Sequence, residues 1–422
     1  MTVTDPRAAD AATALTDGER RLTVLLLIVF VDLLGFGVLI PLIPFYATRL
    51  GMAPGAVTVI VALHSLAQLL CAPPLGRLSD RYGRRPILAF SMAGHAAAYG
   101  MLAVADSVTV LVLSRLLSGA TSANLAAAYA GVTDILPPER RAVGFARVSA
   151  AFALGFTFGP VLGGWLSGGA EPAVANLVRP ALVAGGLSLL ALLGILLWLP
   201  ETRPAAAPAA ALRRMPPVAR RPGTDRLRPW SRDRPLALLL ALTVMVLLCA
   251  AMRESLLSLW LHDRLHFDTD TIGVVFTVNG AVIALVQSKL TGWLAHRCGA
   301  MLLLRAGIAS YGLSWLGLTL APDLAWVLAA IVVGAFGTAF FATGMQSLIA
   351  ARASAEARGV VMGWYQSSAS LARFVGAASA GTLYGAWGHD APFLLGALLM
   401  IPALGITWRI AVLSAAAPRA AG

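Results

Sequence analysis

Five ionisable side chains stand inside otherwise apolar stretches. Asp32 interrupts LTVLLLIVFVDLLGFGVLI, Arg115 interrupts VLVLSRLLSGA, Arg253 and Glu254 interrupt LLCAAMRESLLSLW, and Arg373 interrupts SASLARFVGA. A carboxylate in such surroundings can load and release a proton or attract a cation. A guanidinium keeps its charge near neutral pH, so it can tune an acid, organise water or hold an anion, but not carry the proton itself. Asp32 lies about eleven residues into its stretch, roughly 16 Å along a helix, and is the leading proton-coupling and cation-recognition group. A plain ion pair holding helices together is its alternative role. Arg115 either pairs with Asp32 or meets backbone carbonyls. Arg253 and Glu254 are adjacent and point to different sides of a helix, so they are not natural partners. Glu254 is the second candidate for proton exchange, with snorkelling towards water as the competing outcome. Arg373 either binds an anionic group or ties helices together.

Asn124, Asn279 and Gln366 are candidate cavity residues, while His64, His95 and similar side chains suit interhelical hydrogen bonds. Phe36 and Trp364 offer broad apolar contact, which with an acid suits a lipophilic cation. Other chemistries find little support. Cys71, Cys249 and Cys298 are far apart and form no CxxC pair. His262 and His266 are four residues apart beside acids, a pattern that fits a wetted loop more simply than a metal site. No Walker A loop and no HExxH sequence is present. The expectation is therefore a non-enzyme with no metal or cofactor and with protons as the coupling ion.

The elements carrying these residues must be membrane helices. The chain has 422 residues, 58% of them hydrophobic and only 12% charged, with a mean hydropathy of +0.79. Soluble domains run at about 45–50% apolar, and a hydrocarbon layer takes about 20 apolar residues as helix. Twelve spans are expected, over 21–45, 57–75, 86–105, 108–132, 143–167, 180–199, 235–260, 272–291, 300–320, 324–349, 358–384 and 391–411. Their grouping gives a tail over 1–20, a six-helix bundle over 21–199, a Pro-, Ala- and Arg-rich linker over 200–234, a second bundle over 235–411 and a tail over 412–422. Arginines concentrate in alternate loops, which sets both termini and the linker on the cytoplasmic side of a cell membrane. The net charge of +12 reads as orientation, not nucleic-acid binding.

Gly76-Arg-Leu-Ser-Asp-Arg-Tyr-Gly83 joins the second and third spans and has an echo in Gly292-Trp-Leu-Ala-His-Arg-Cys-Gly299. Glu139-Arg-Arg141 and Glu356-Ala-Arg358 repeat at nearly the same offset, which suggests two related halves around a central site. In the first copy Gly76, Gly83 and Pro86 make a tight turn. Asp80 can cap a helix, and Arg81, Arg84 and Arg85 can latch neighbouring helices. Gly155, Gly159, Gly163 and Gly164, with Pro160, give the fifth span a face that another helix can approach closely.

GRLSDRYGRRP resembles the loop motif of the major facilitator superfamily through Gly76, Leu78, Asp80, Arg81, Gly83, Arg84 and Arg85. SRLLSGA, with Arg115 and Gly119, looks like the fourth-span arginine motif of these carriers. ALGFTFGPVLGG resembles their antiporter motif, and LPET at 199–202 is another common feature. VDLLGFGVLIPLIP is similar to the first span of the twelve-span drug:proton antiporters, the branch that includes tetracycline exporters. The resemblance covers essentially the whole chain. It implies an all-α membrane protein of twelve helices in two pseudo-symmetric bundles. It also implies a part for Arg115 in proton coupling and gating roles for the loop and fifth-span motifs. The function expected is export of lipophilic or cationic drugs in exchange for protons. Proton-linked transport of a metabolite, peptide-like molecule or organic anion is the alternative, and a transport-inactive receptor a further one. The expected partners are a small lipophilic substrate and membrane lipids, with no nucleic acid and a monomer as the simplest assembly.

Overall fold

The computed structural model describes residues 6–122, 124–137, 140–168, 176–201, 233–352 and 358–416. Residues 202–232 of the expected linker, Glu139, Glu356 and the Asp80 side chain lie outside that description. Among the described residues all regular structure is helical. The helices are α1 (Pro6–Leu39), α2 (Ile43–Arg49), α3 (Pro54–Tyr82), α4 (Arg84–Ala103), α5 (Val108–Thr121), α6 (Asn124–Ile135), α7 (Arg141–Ser167) and α8 (Val178–Trp198). They continue as α9 (Arg234–Leu265), α10 (Thr269–Leu285), a π-helical turn (Val286–Leu290), α11 (Thr291–Cys298), α12 (Ala300–Thr319), α13 (Leu324–Arg352), α14 (Arg358–Trp387) and α15 (Ala391–Ala416).

Ten described segments are long and apolar enough to cross a membrane. Large apolar side chains such as Leu70, Leu190 and Leu197 stand exposed along them, and Trp165, Trp198, Trp387 and Trp408 are exposed at or near helix ends. A surface of that kind belongs against lipid, with the indoles at its margins. The chain is a multi-pass, all-α membrane protein. Three expected spans differ from the simple pattern. The first breaks at Ile40–Leu42, where Pro41 and Pro44 remove backbone donors. The fourth divides at Ser122 into α5 and α6, so neither piece is long enough to cross. The eleventh is one 30-residue helix, α14, but its Gln366, Ser367, Ser368, Ser370 and Arg373 make it too polar to count among the ten. The helices also extend into both expected tails, from Pro6 and to Ala416.

The echoed loops fold alike. Gly83 between α3 and α4 has φ 104° and ψ 167°, and Gly299 between α11 and α12 has φ 81° and ψ 154°. Side-chain-bearing residues rarely adopt such angles.

Close packing follows the glycines. Along α7, Gly155 abuts the Phe30 carbonyl, Gly159 abuts Gly37, and Gly163 abuts the Val38 carbonyl, so α7 lies directly on α1. Gly164 meets the Thr269 backbone, while Gly273 and Gly280 of α10 meet Pro160 and Thr157 of α7. Ser167 and Thr269 share a 2.6 Å hydroxyl hydrogen bond. On a second seam Gly381 of α14 packs on the Pro54 carbonyl of α3, and its N–H donates to Thr58 Oγ1 at 2.9 Å. These two seams join the halves of the chain at the end bearing residues 54, 167, 269 and 381.

Gly164→Leu puts a side chain against the Thr269 carbonyl, an overpacking worth about 1–3 kcal/mol. In a cysteine-free background, a thiol at Ser167→Cys is expected to react about tenfold faster with a water-soluble maleimide when Gly164→Leu is added. An unchanged rate would mean that the α7–α10 seam does not seal this end.

Candidate functional site

Asp32, 5% exposed on α1, is held from two other helices. Its Oδ1 lies 2.8 Å from His95 Nδ1 on α4, and its Oδ2 accepts from Asn124 Nδ2 at 2.8 Å. The division between α5 and α6 builds the rest of the site. At this break the Ser122 N–H bonds to the Gly119 carbonyl, not to Ser118 four residues back as in a continuing helix. The Ser118 carbonyl is thereby left to side chains: Ser122 Oγ donates to it at 2.7 Å and His95 Nε2 approaches at 3.2 Å. Asn124 then opens α6 with its amide on the carboxylate.

His95 Nε2 also stands 3.1 Å from Ser122 Oγ, a hydroxyl that can donate or accept. The short Nδ1–Oδ1 contact places a proton between its two atoms, and the imidazole links the carboxylate to the hydroxyl and carbonyl exposed at the end of α5.

Of the two roles open to Arg115, the ion pair with Asp32 is not formed: both Asp32 oxygens are engaged by His95 and Asn124, and the guanidinium lies within electrostatic reach of Tyr99 and Tyr46. Arg115 is 3% exposed, and its Nε and Nη2 have no hydrogen-bond partner. Tyr46 itself donates to the Leu177 carbonyl. Phe36 packs on the His64 ring, with centroids 5.4 Å apart, and Gly119 of α5 lies on the His64 backbone.

The second-half candidates form a separate group. Arg253 is 4% exposed with Nε and Nη1 unpartnered. Glu254 is exposed and lies within electrostatic reach of Arg373 and Tyr311. Arg373 donates to Ser370 Oγ at 3.3 Å. Asn279 is buried with an unpartnered Oδ1, Trp364 is half-buried and Gln366 is exposed. No hydrogen bond or ion pair joins any of them to Asp32 among the described residues.

The loop motif forms a clamp. Arg84 Nε meets Asp134 Oδ2 at 3.0 Å and its Nη1 donates to Ser79 Oγ at 3.0 Å. Glu201 accepts from the backbone N–H groups of Arg84 at 2.8 Å and Arg85 at 3.3 Å, capping the positive end of α4. Arg85 donates to the Ile195 and Leu196 carbonyls of α8. Any side chain at Gly83 would collide with Glu201. Gly76 has open space around it, and Arg81 lies 5.4 Å over the Tyr82 ring. Asp134 was not anticipated from sequence, and Glu201 was visible there only as part of LPET. The apolar run around His95 is the one sequence signal that marks it as more than a hydrogen-bonding group.

A family model described as Major Facilitator Superfamily matches residues 25–262 and 250–420. The class G tetracycline resistance protein of Vibrio anguillarum is 30% identical over 391 residues, 91% of this chain and 96% of that protein. The class E tetracycline resistance protein of Escherichia coli is 30% identical over 371 residues, 87% and 89% of the two chains. Among solved structures, the human organic anion transporter MFSD10 matches at 26% identity with a TM-score of 0.67, covering 92% of this chain and 99% of that one.

His95→Leu strands the Asp32 carboxylate and should lower stability by roughly 3–5 kcal/mol, read as a drop in thermal unfolding temperature. Adding Asp32→Asn should restore part of the loss, with a coupling of about 1–3 kcal/mol. Simple additivity of the two changes would deny the pairing.

Proposed function

The chain belongs to the Major Facilitator Superfamily, and on that premise we propose that it is a proton-linked carrier of small organic anions. As a member of that family it is a secondary active transporter of small solutes and not an enzyme. The observation that carries the anion reading is the imbalance of buried charge. Among the described residues Arg115 and Arg253 are buried and form no ion pair with an acid, while the buried acid Asp32 is engaged by His95 and Asn124. An uncompensated guanidinium is costly in a low-dielectric interior, and a substrate carboxylate would relieve that cost. Similarity to the human organic anion transporter supports the same class.

In this proposal two six-helix bundles, 21–199 and 235–411, rock about a central site, with the linker 200–234 and the tails 1–20 and 412–422 on the cytoplasmic side. Asp32 carries the coupling proton. Arg115, Arg253 and Arg373 attract the anion, and Glu254 is a second exchange group facing Arg373. Phe36, Asn124, Asn279, Trp364 and Gln366 line the substrate path. The clamp of Arg84, Arg85 and Glu201, with Gly76, Asp80 and Arg81 in the same loop, and the glycines of α7 with Pro160 govern the rocking.

Drug export in exchange for protons is the second reading. It is supported by the similarity to tetracycline resistance proteins and by the glycine-lined α7, a pattern that accompanies exchange in this superfamily.

Reconstituted into liposomes with an imposed pH gradient, the chain is expected to move aromatic carboxylates uphill and lipophilic cations poorly. Asp32→Asn should abolish uphill movement and substrate-induced proton flux together, leaving downhill exchange. Uphill flux of cations alone would replace the first reading with the second, and full proton coupling in Asp32→Asn would remove the role given to that residue.

A further inference from the structure

The two unpartnered Arg115 nitrogens are Nε and Nη2. They are the neighbouring donors of one edge of the guanidinium, the fork that grips a carboxylate through two parallel hydrogen bonds. Around this edge other polar groups are incompletely used. The Tyr99 and Ser118 hydroxyls have only each other within reach, and His64 Nδ1 is buried with no partner. Tyr46 is the remaining titratable neighbour and is committed to the Leu177 carbonyl. A buried cation with its fork unused is a built receptor for an anion.

The fork also stands close to the proton-holding pair. Arg115 and Ser118 are one turn apart on α5, and His95 and Tyr99 are one turn apart on α4 with ring centroids at 5.8 Å. Tyr99 lies within electrostatic reach of both Asp32 and Arg115, and His64 within reach of both Arg115 and His95. With one proton added to ionised Asp32 and neutral His95, these two and Arg115 together carry one net positive charge. Once it leaves, the three sum to zero. A bound monoanion neutralises the first state and overloads the second.

We infer that the Arg115 fork binds a carboxylate-sized monoanion and that this binding favours uptake of a proton by the Asp32–His95 pair. The inference deepens the organic-anion reading and rests on it. It gives the linkage a sign: anion and proton bind together at this site and do not compete. By reciprocity, whatever factor the anion adds to proton affinity the proton adds to anion affinity.

The test uses the full chain in nanodiscs, with benzoate as probe and chloride as a second anion. Calorimetry reads affinity, and an indicator in weak buffer reads proton movement. The wild-type chain should bind benzoate and take up protons as it does so. Arg115→Lys keeps the charge but loses the fork, and should weaken binding at least about tenfold, the scale of one charge-assisted hydrogen bond. Should that variant fail to fold, Tyr99→Phe should weaken binding several-fold. Asp32→Asn should lose the proton uptake that accompanies benzoate binding. Chloride competing with benzoate would assign the site to a free inorganic anion, and chloride without effect would assign it to the acid group of a larger solute. Either result supports the site. Equal benzoate affinity in wild type, Arg115→Lys and Tyr99→Phe, binding of neither anion, or proton release on binding would overturn it. Arg115-dependent binding in a chain that no pH gradient drives would instead defeat the transport reading and leave the site standing.

Discussion

A charged group inside a hydrocarbon layer must be compensated by the protein that carries it. Asp32 is compensated locally by an imidazole and an amide from two further helices. Arg115 and Arg253 are not compensated in this way, and that difference separates the roles drawn for them. A carboxylate already surrounded by donors suits the holding and release of a proton. A guanidinium left with open donors suits a ligand that brings its own acceptors.

Compensation of Asp32 depends on a flaw in a helix. A continuous fourth span would spend the Ser118 carbonyl on the backbone ladder. The division at Ser122 releases that carbonyl to His95 and starts a new helix at Asn124, whose side chain reaches the carboxylate. Irregular backbone at membrane depth is tolerable where protein groups use the freed donors and acceptors, and here they do. The clamp at the other end of α4 follows the same logic. The unsatisfied N–H groups at the start of that helix are met by Glu201 from beyond α8.

Much of the fold was legible in the sequence because hydrophobic length and the spacing of arginines are one-dimensional signals. The positions of Asp32, the turn at Gly83 and the small-residue face of α7 could be read in this way. The partners of Asp32 could not. His95 is 63 residues away and Asn124 is 92 away in the chain, and no periodicity reports which face of α4 meets which face of α1. Whether Arg115 would meet Asp32 or other groups was undecidable from sequence for the same reason. Opposite charges in neighbouring spans invite pairing, but helix rotation and the break at Ser122 presented other groups to the acid. Asp134 was missed because an acid near a span end looks like ordinary loop solvation until Arg84 is seen beside it.

The seams at Gly164, Gly273 and Gly381 are largely contacts of bare backbone with bare backbone. Such surfaces surrender almost no rotameric freedom when they come together and regain almost none when they part. Each mating face is set by main-chain shape, so it re-forms in one register without searching among side-chain arrangements. In the proposed rocking of the two halves, seams of this kind would part and re-form with little entropic cost in either direction.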